Sequence, residues 1–211
     1  MDVSGAATIR GNLTVDTNTL FVDAASNRVG IGMNNPSAAL HLASGQFFIG
    51  QPRITIIEDR KSQGTGGGTG TNGNTTRVLN TLIRNDIGVT LTNGTTGTNG
   101  NNTNFQIPAG TYSIYAACPA FLMTRNRIRL VNTSNSTTTL LGQTSRNGSN
   151  SMNINATLYG VITLADNTTF RIDHFASGVT VTGDGKNLGM ETNQSGFEEV
   201  YSQVIITQFS S

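Results

Sequence analysis

Residues 111 to 132 read TYSIYAACPAFLMTRNRIRLVN. The first eight, TYSIYAAC, form a strand with apolar side chains at both parities: Tyr112, Ile114, Ala116 and Cys118 on one side, Tyr115 and Ala117 on the other. A side-chain period of two puts those sets on opposite faces of a sheet. After a break, 126 to 132 (NRIRLVN) alternate in the manner of a half-buried strand, with Ile128 and Leu130 facing one way and Arg127 and Arg129 the other.

The same pattern continues in both directions from this pair. Strands are expected at 53–59 (RITIIED), 77–84 (RVLNTLIR), 87–92, 104–107, 137–144, 154–164 (INATLYGVITL), 168–175 (TTFRIDHF) and 199–208. Ten short strands at nearly regular spacing, divided by Gly, Asn and Ser clusters, predict a β-sandwich. PAG at 108–110 and LADN at 164–167 are tight-turn signals.

Composition agrees. Asn (24), Thr (32) and Gly (25) make up 38% of the 211 residues. Thr suits strands, and Asn and Gly supply positive φ at turns. No stretch sustains apolar spacing at i, i+3, i+4 and i+7, so a helical fold is excluded.

The first fifty residues form a separate unit. Short strands at 9–15 and 19–23, a turn at AASN, a return strand RVGIG and a strand AALHL after NNPS give a hairpin-rich module. It has too few apolar residues to fold alone, and its open edges need partners. The chain is therefore divided into an N-terminal module, 1–46, and a head, 47–211. Two low-complexity segments, 62–76 and 93–104, lack the GxxxxGK[ST] order of a phosphate loop and are expected as long flexible surface loops.

The charge balance, Lys+Arg 13 against Asp+Glu 12, argues against nucleic-acid binding, which needs a concentrated basic surface. Arg125, Arg127 and Arg129 are the one tight basic cluster and fall on one strand face; this is read first as a solvated edge strand and second as an anion site. Cys118 is single and is expected as a small buried residue. No basic start leads into an apolar stretch, and no run approaches transmembrane length, so a soluble chain without membrane insertion is expected.

Catalytic and metal signals are weak. His41 and His174 fall on separate strands with no ligand at metal spacing, and Asp166, Asp173 and Asp184 follow no calcium-loop order and read as turn formers. Adjacent Glu58 and Asp59 point to opposite faces of a strand, so they cannot act as an acid-base pair. No GxSxG elbow occurs. No cofactor is expected, and a polysaccharide hydrolase is the weakest of the readings.

Two stretches carry a resemblance. GNLTVDTNTLFVDAASNRVGIGMNNPSAALHL, at 11–42, resembles the short β-repeat of phage tail fibres. The second runs from EDRKSQGTGGGTG through RVLNTLI to IPAGTYSIYAACPAFLMTRNRIRLVNTSN and is similar to a tail-fibre head of the C1q and TNF-like jelly-roll type. EDRKS, LNT and PAGTY match in order.

The resemblance implies an all-β antiparallel sandwich behind a small hairpin-rich module, assembled as a homotrimer, non-enzymatic and located on a virion as a tail fibre or spike. Its partners would be two further copies of itself, other virion proteins through the N-terminal module, and a host-surface glycan or protein. A capsid decoration or adaptor is the alternative. Within such a head, 53–59, 111–118, 154–164 and 199–208 would form the inner sheet, with Tyr115, Tyr159 and Tyr201 toward the threefold axis. Loops 94–104 and 176–196 would meet the ligand, with Asn99, Asn101, Asn102, Asp184 and Lys186 as the candidate contacts.

Overall fold

A computed structural model describes residues 8–17, 19–43, 52–93, 102–146, 153–180 and 185–210. The chain divides into two compact units, Met1–Gln51 and Pro52–Ser211. The boundary expected after residue 46 lies outside the described residues.

The first unit is a four-stranded sheet in the order β1 (Leu13–Val15), β2 (Leu20–Asp23), β3 (Arg28–Ile31), β4 (Leu40–Leu42). The β2–β3 turn is closed by Asp23, whose Oδ1 accepts from the Ala25 and Ser26 amides, and by Asn27 at φ 54°. Asn tolerates that left-handed conformation better than most residues. β3 and β4 pair in parallel, which the hairpin reading missed. Among the described residues of this unit only Gly30 and Pro36 are buried, so these residues form no apolar core of their own.

The second unit carries two sheets. The five-stranded sheet runs β14 (Ile154–Leu164), β10 (Gly110–Ala120), β16 (Glu199–Ser210), β5 (Arg53–Lys61), β7 (Thr81–Asn85). The path of the second sheet is β12 (Thr137–Leu141), β11 (Met123–Asn132), β15 (Thr168–Val179), β9 (Asn104–Ile107), β8 (Thr90–Thr92). Beside it β13 (Ser145–Arg146) pairs with β11, and β6 (Gly73–Thr76) pairs with β15, giving seven strands.

Pairing is nested: β5 with β16, β9 with β15, β10 with β14, β11 with β12. A chain folded back on itself in that order, each pair lying in the sheet opposite to the next, is a jelly roll. The expected antiparallel sandwich is therefore the observed head, and the four strands assigned to the inner sheet do share one sheet. Ile57, Ile114, Leu158, Val204 and Ile206 from that sheet meet Phe105, Ile128, Leu130, Phe170 and Ile172 from the other. The rings of Phe105 and Phe170 lie 6.2 Å apart at the centre of this layer. Tyr112 is buried too, and its hydroxyl is held 3.1 Å from the Pro108 carbonyl, which ties the PAG turn to the core.

Of the expected strand 77–84 only the second half is formed, within β7. Residues 77–80 are the crossing by which the chain leaves the second sheet after β6 and enters the first at β7. Leu79 is buried, and the fully buried Arg77 donates to Ser202 Oγ at 2.7 Å, to the Leu188 carbonyl at 2.8 Å and to the Pro119 carbonyl at 3.3 Å. His174 Nδ1 lies 3.5 Å from the same guanidinium. Asp59, also buried, has no hydrogen-bond partner on either oxygen among the described residues, and burial raises its pKa against the opposing charges of Lys61 and Arg77. Asp173 is likewise no turn former: it sits within β15, buried, between Arg171 and Arg129.

The glycine-rich 62–76 is not a loose surface loop. Gly67 and Gly70 are buried, the Gly67 amide donates to the Gly189 carbonyl, and the Leu188 amide donates to the Gly68 carbonyl. A Cβ at Gly67 would stand 2.5 Å from the Leu188 carbonyl oxygen, so glycine serves close backbone approach here.

Candidate functional site

Alternation on the five-stranded sheet turns one set of side chains away from the core. Register places Tyr159, Tyr115, Ile205 and Ile56 in one row across β14, β10, β16 and β5. The neighbouring row is Val161, Ser113, Thr207 and Ile54; the row on the other side is Thr157, Ala117, Gln203 and Glu58. Tyr159 is 70% exposed, Val161 55% and Tyr115 38%.

β10 and β14 carry no charged residue. The charges on this face begin at β5, where Glu58 accepts from Arg60 Nε at 2.8 Å and from Gln203 Nε2 at 2.7 Å. Arg60 also reaches Glu198 at 3.0 Å. The face is thus an apolar band with aromatic side chains, bordered by a polar network along one side. Full burial of a large apolar side chain contributes about 1.5–3 kcal/mol.

Two solved structures align with the chain at low identity. Murine APRIL (the pH 5.0 crystal structure) aligns at TM-score 0.45 and 8% identity over 75% of this chain and 100% of that one. The zebrafish complement 1qA globular domain aligns at TM-score 0.39 and 15% identity over 76% of this chain and 98% of that one. No protein-family model matches the chain, and no curated protein does.

Of the three tyrosines expected together, the structure joins two. Tyr115 and Tyr159 are direct cross-strand partners. Tyr201 is buried instead, its hydroxyl donating to the Thr65 carbonyl at 2.7 Å, and burial followed by the Glu199 charge raises its pKa. A β-bulge between Val200 and Gln203 sets Tyr201 and Ser202 together against Asp59, which breaks the alternation the sequence suggests.

Among the expected loop contacts, Asn99, Asn101 and Asp184 lie outside the described residues. Asn102 leads into β9, and its carbonyl accepts from the Leu79 amide. Lys186 sits in the segment before β16, paired with Glu191. That segment packs on the glycine-rich stretch through the Gly189 and Gly185 carbonyls.

The three arginines of β11 do share a face, and the face is more basic than β11 alone suggests. Arg146 of β13 is the register partner of Arg125, and Arg171 of β15 is opposite Val131. Neither was anticipated, because both come from other strands. Among the described residues no cluster of three or more His, Cys, Asp or Glu could hold a metal ion.

Proposed function

We propose that the chain is a non-enzymatic, homotrimeric virion protein, a tail fibre or spike whose jelly-roll head binds a host-surface ligand. The observation that carries the assembly is the apolar band in which exposed Tyr159, Val161 and Tyr115 continue into the partly buried Ile205 and Ile56. Three copies packed about an axis bury that band without leaving an open edge, since cyclic symmetry closes it. The N-terminal unit supports the same reading: a sheet whose described strands bury no apolar side chain needs other surfaces to pack against. The phage-fibre resemblance of 11–42 supplies the virion context. Three linked heads bind with avidity, so that weak individual sites suffice.

Two measurements test it. Light scattering on the full chain gives three times 22.2 kDa if the assembly is right, and a single-chain mass at micromolar concentration overturns it. Immunogold labelling of purified particles locates the protein: label at the tail or fibre tips supports attachment, and label spread over the shell makes it a decoration protein instead.

A further inference from the structure

We propose that the outer face of the seven-stranded sheet binds an anionic polysaccharide, with Arg125, Arg127 and Arg146 as charged contacts and Phe175 as an apolar platform. Charge distribution is the first observation. The strands of this sheet carry five arginines (Arg125, Arg127, Arg129, Arg146 and Arg171), and Asp173 is their one acidic residue. The whole chain is nearly neutral at +1. Positive charge is therefore gathered on one face of an otherwise balanced protein, and such a face raises the local concentration of anions.

The arginines differ in state. Asp173 holds Arg129 at 3.1 Å and Arg171 at 2.8 Å, and Arg129 also donates to Thr138 Oγ1. Among the described residues no acceptor holds the side chains of Arg125, Arg127 or Arg146. Arg125 and Arg146 are moreover register partners, so two like charges stand opposite each other on one face, an arrangement that destabilises a strand pair. A local rule broken without compensation marks a functional position, and an anion bridging the two guanidinium groups relieves the repulsion.

Shape and chemistry choose among anions. Arg127 is the register partner of Phe175, which is 43% exposed. Together with Asn74, Arg129, Thr138 and Leu141 they line an open groove. An open groove suits a polymer rather than a single small ion. An exposed ring flanked by guanidinium, amide and hydroxyl donors suits a sugar, whose C–H face packs on the ring while its carboxylate or sulfate meets an arginine, a bidentate partner for such groups. Three free arginines on a chain of net charge +1 are too few for a nucleic acid, where many phosphates must be neutralised. The inference deepens the reading of the head as a binding module, but binding at this face does not depend on assembly.

The test measures binding of the full chain to heparin and to polygalacturonate by calorimetry, with neutral dextran, polyglutamate and duplex DNA as comparisons. Both acidic polysaccharides are expected to bind, more weakly as salt rises, and dextran is not. R125S/R127S/R146S is expected to weaken binding roughly tenfold, as the loss of three surface charge contacts implies. F175S is expected to weaken it while leaving the salt dependence unchanged. R10S removes one charge elsewhere on the chain and is expected to bind as the parent does. Three results overturn the proposal: no binding of either polysaccharide, equal loss in R10S and R125S/R127S/R146S, or binding of polyglutamate or DNA as tight as that of the polysaccharides. Weighing the same samples separates the two readings. A single-chain protein that binds overturns the trimer alone, and a trimer that does not bind overturns this site alone.

Discussion

Tyr115 of β10 and Tyr159 of β14 are directly opposed partners on the open face of the five-stranded sheet, 38% and 70% exposed. Two large rings side by side on a solvent-facing sheet cost solubility, and the proposed assembly would cover them. Replacing both by serine is expected to convert the assembly to single chains at micromolar concentration, read by light scattering, with the far-ultraviolet circular dichroism of the sheet retained. Neither side chain belongs to the core, so a trimer that persists in Y115S/Y159S places the interface elsewhere.

Arg77 joins the Gly-rich segment, β10, β16 and the 185–189 segment through donors aimed at Ser202, Pro119 and Leu188. R77M takes the donor from those buried acceptors, and each left unsatisfied costs about 1–3 kcal/mol. For a domain of this size the thermal midpoint is expected to fall by roughly 10 °C. Asp59 feels the Arg77 charge, so R77M/D59N is expected to be less destabilised than the two single losses together. Urea unfolding of the four proteins measures the coupling, and strict additivity contradicts it.

His174 gives the head an acid-side weakness. Burial, with the Arg77 charge adding to it, brings its pKa down from 6.5 to about 3, and Nδ1 then accepts from Arg77 as a neutral ring. The folded state binds fewer protons than the unfolded one between those values. Stability is thus fully present above pH 6.5 and is lost as pH falls toward 3. Between about pH 7 and pH 5 the loss is about 2 kcal/mol. Asp59, with its pKa raised, runs the other way: its penalty grows as pH rises above its ordinary 3.8. H174Q keeps an acceptor and removes the titration, so its unfolding free energy is expected to lose that slope; an unchanged slope refutes the assignment.

Much of the head was legible because its long strands obey a period of two. The strand at 154–164 falls on β14 residue for residue, and the four strands assigned to one sheet do lie together. Periodicity fails where the chain changes sheets. RVLNTLIR looks like one strand, yet Arg77 and Leu79 are buried in a crossing, and nothing in the local pattern marks the switch. It fails again at the bulge that turns Tyr201 away from Tyr115, because an inserted residue resets parity. Glycine content signals conformational freedom equally well for a loose loop and for tight backbone contact, and 62–76 turned out to be the second. The basic face was half legible: Arg125, Arg127 and Arg129 are visible along one strand, whereas Arg146 and Arg171 join them only through pairing.

Gly189 offers the sharpest check on how the glycine-rich stretch, the 185–189 segment and Tyr201 fit together. Its φ is +131°, which side chains rarely adopt, and a Cβ there would stand 2.3 Å from Tyr201 Cδ1 and 3.0 Å from Pro119 Cγ. The ring cannot swing aside freely, since its hydroxyl is bonded to the Thr65 carbonyl and Gly67 also lies against its Cδ1. G189A therefore combines backbone strain with overpacking, each costing about 1–3 kcal/mol. G185A, also at positive φ but with open space around the added methyl, carries the backbone cost alone. Urea midpoints are expected to rank parent above G185A above G189A. Equal losses in the two variants would mean that the Tyr201 contact contributes nothing.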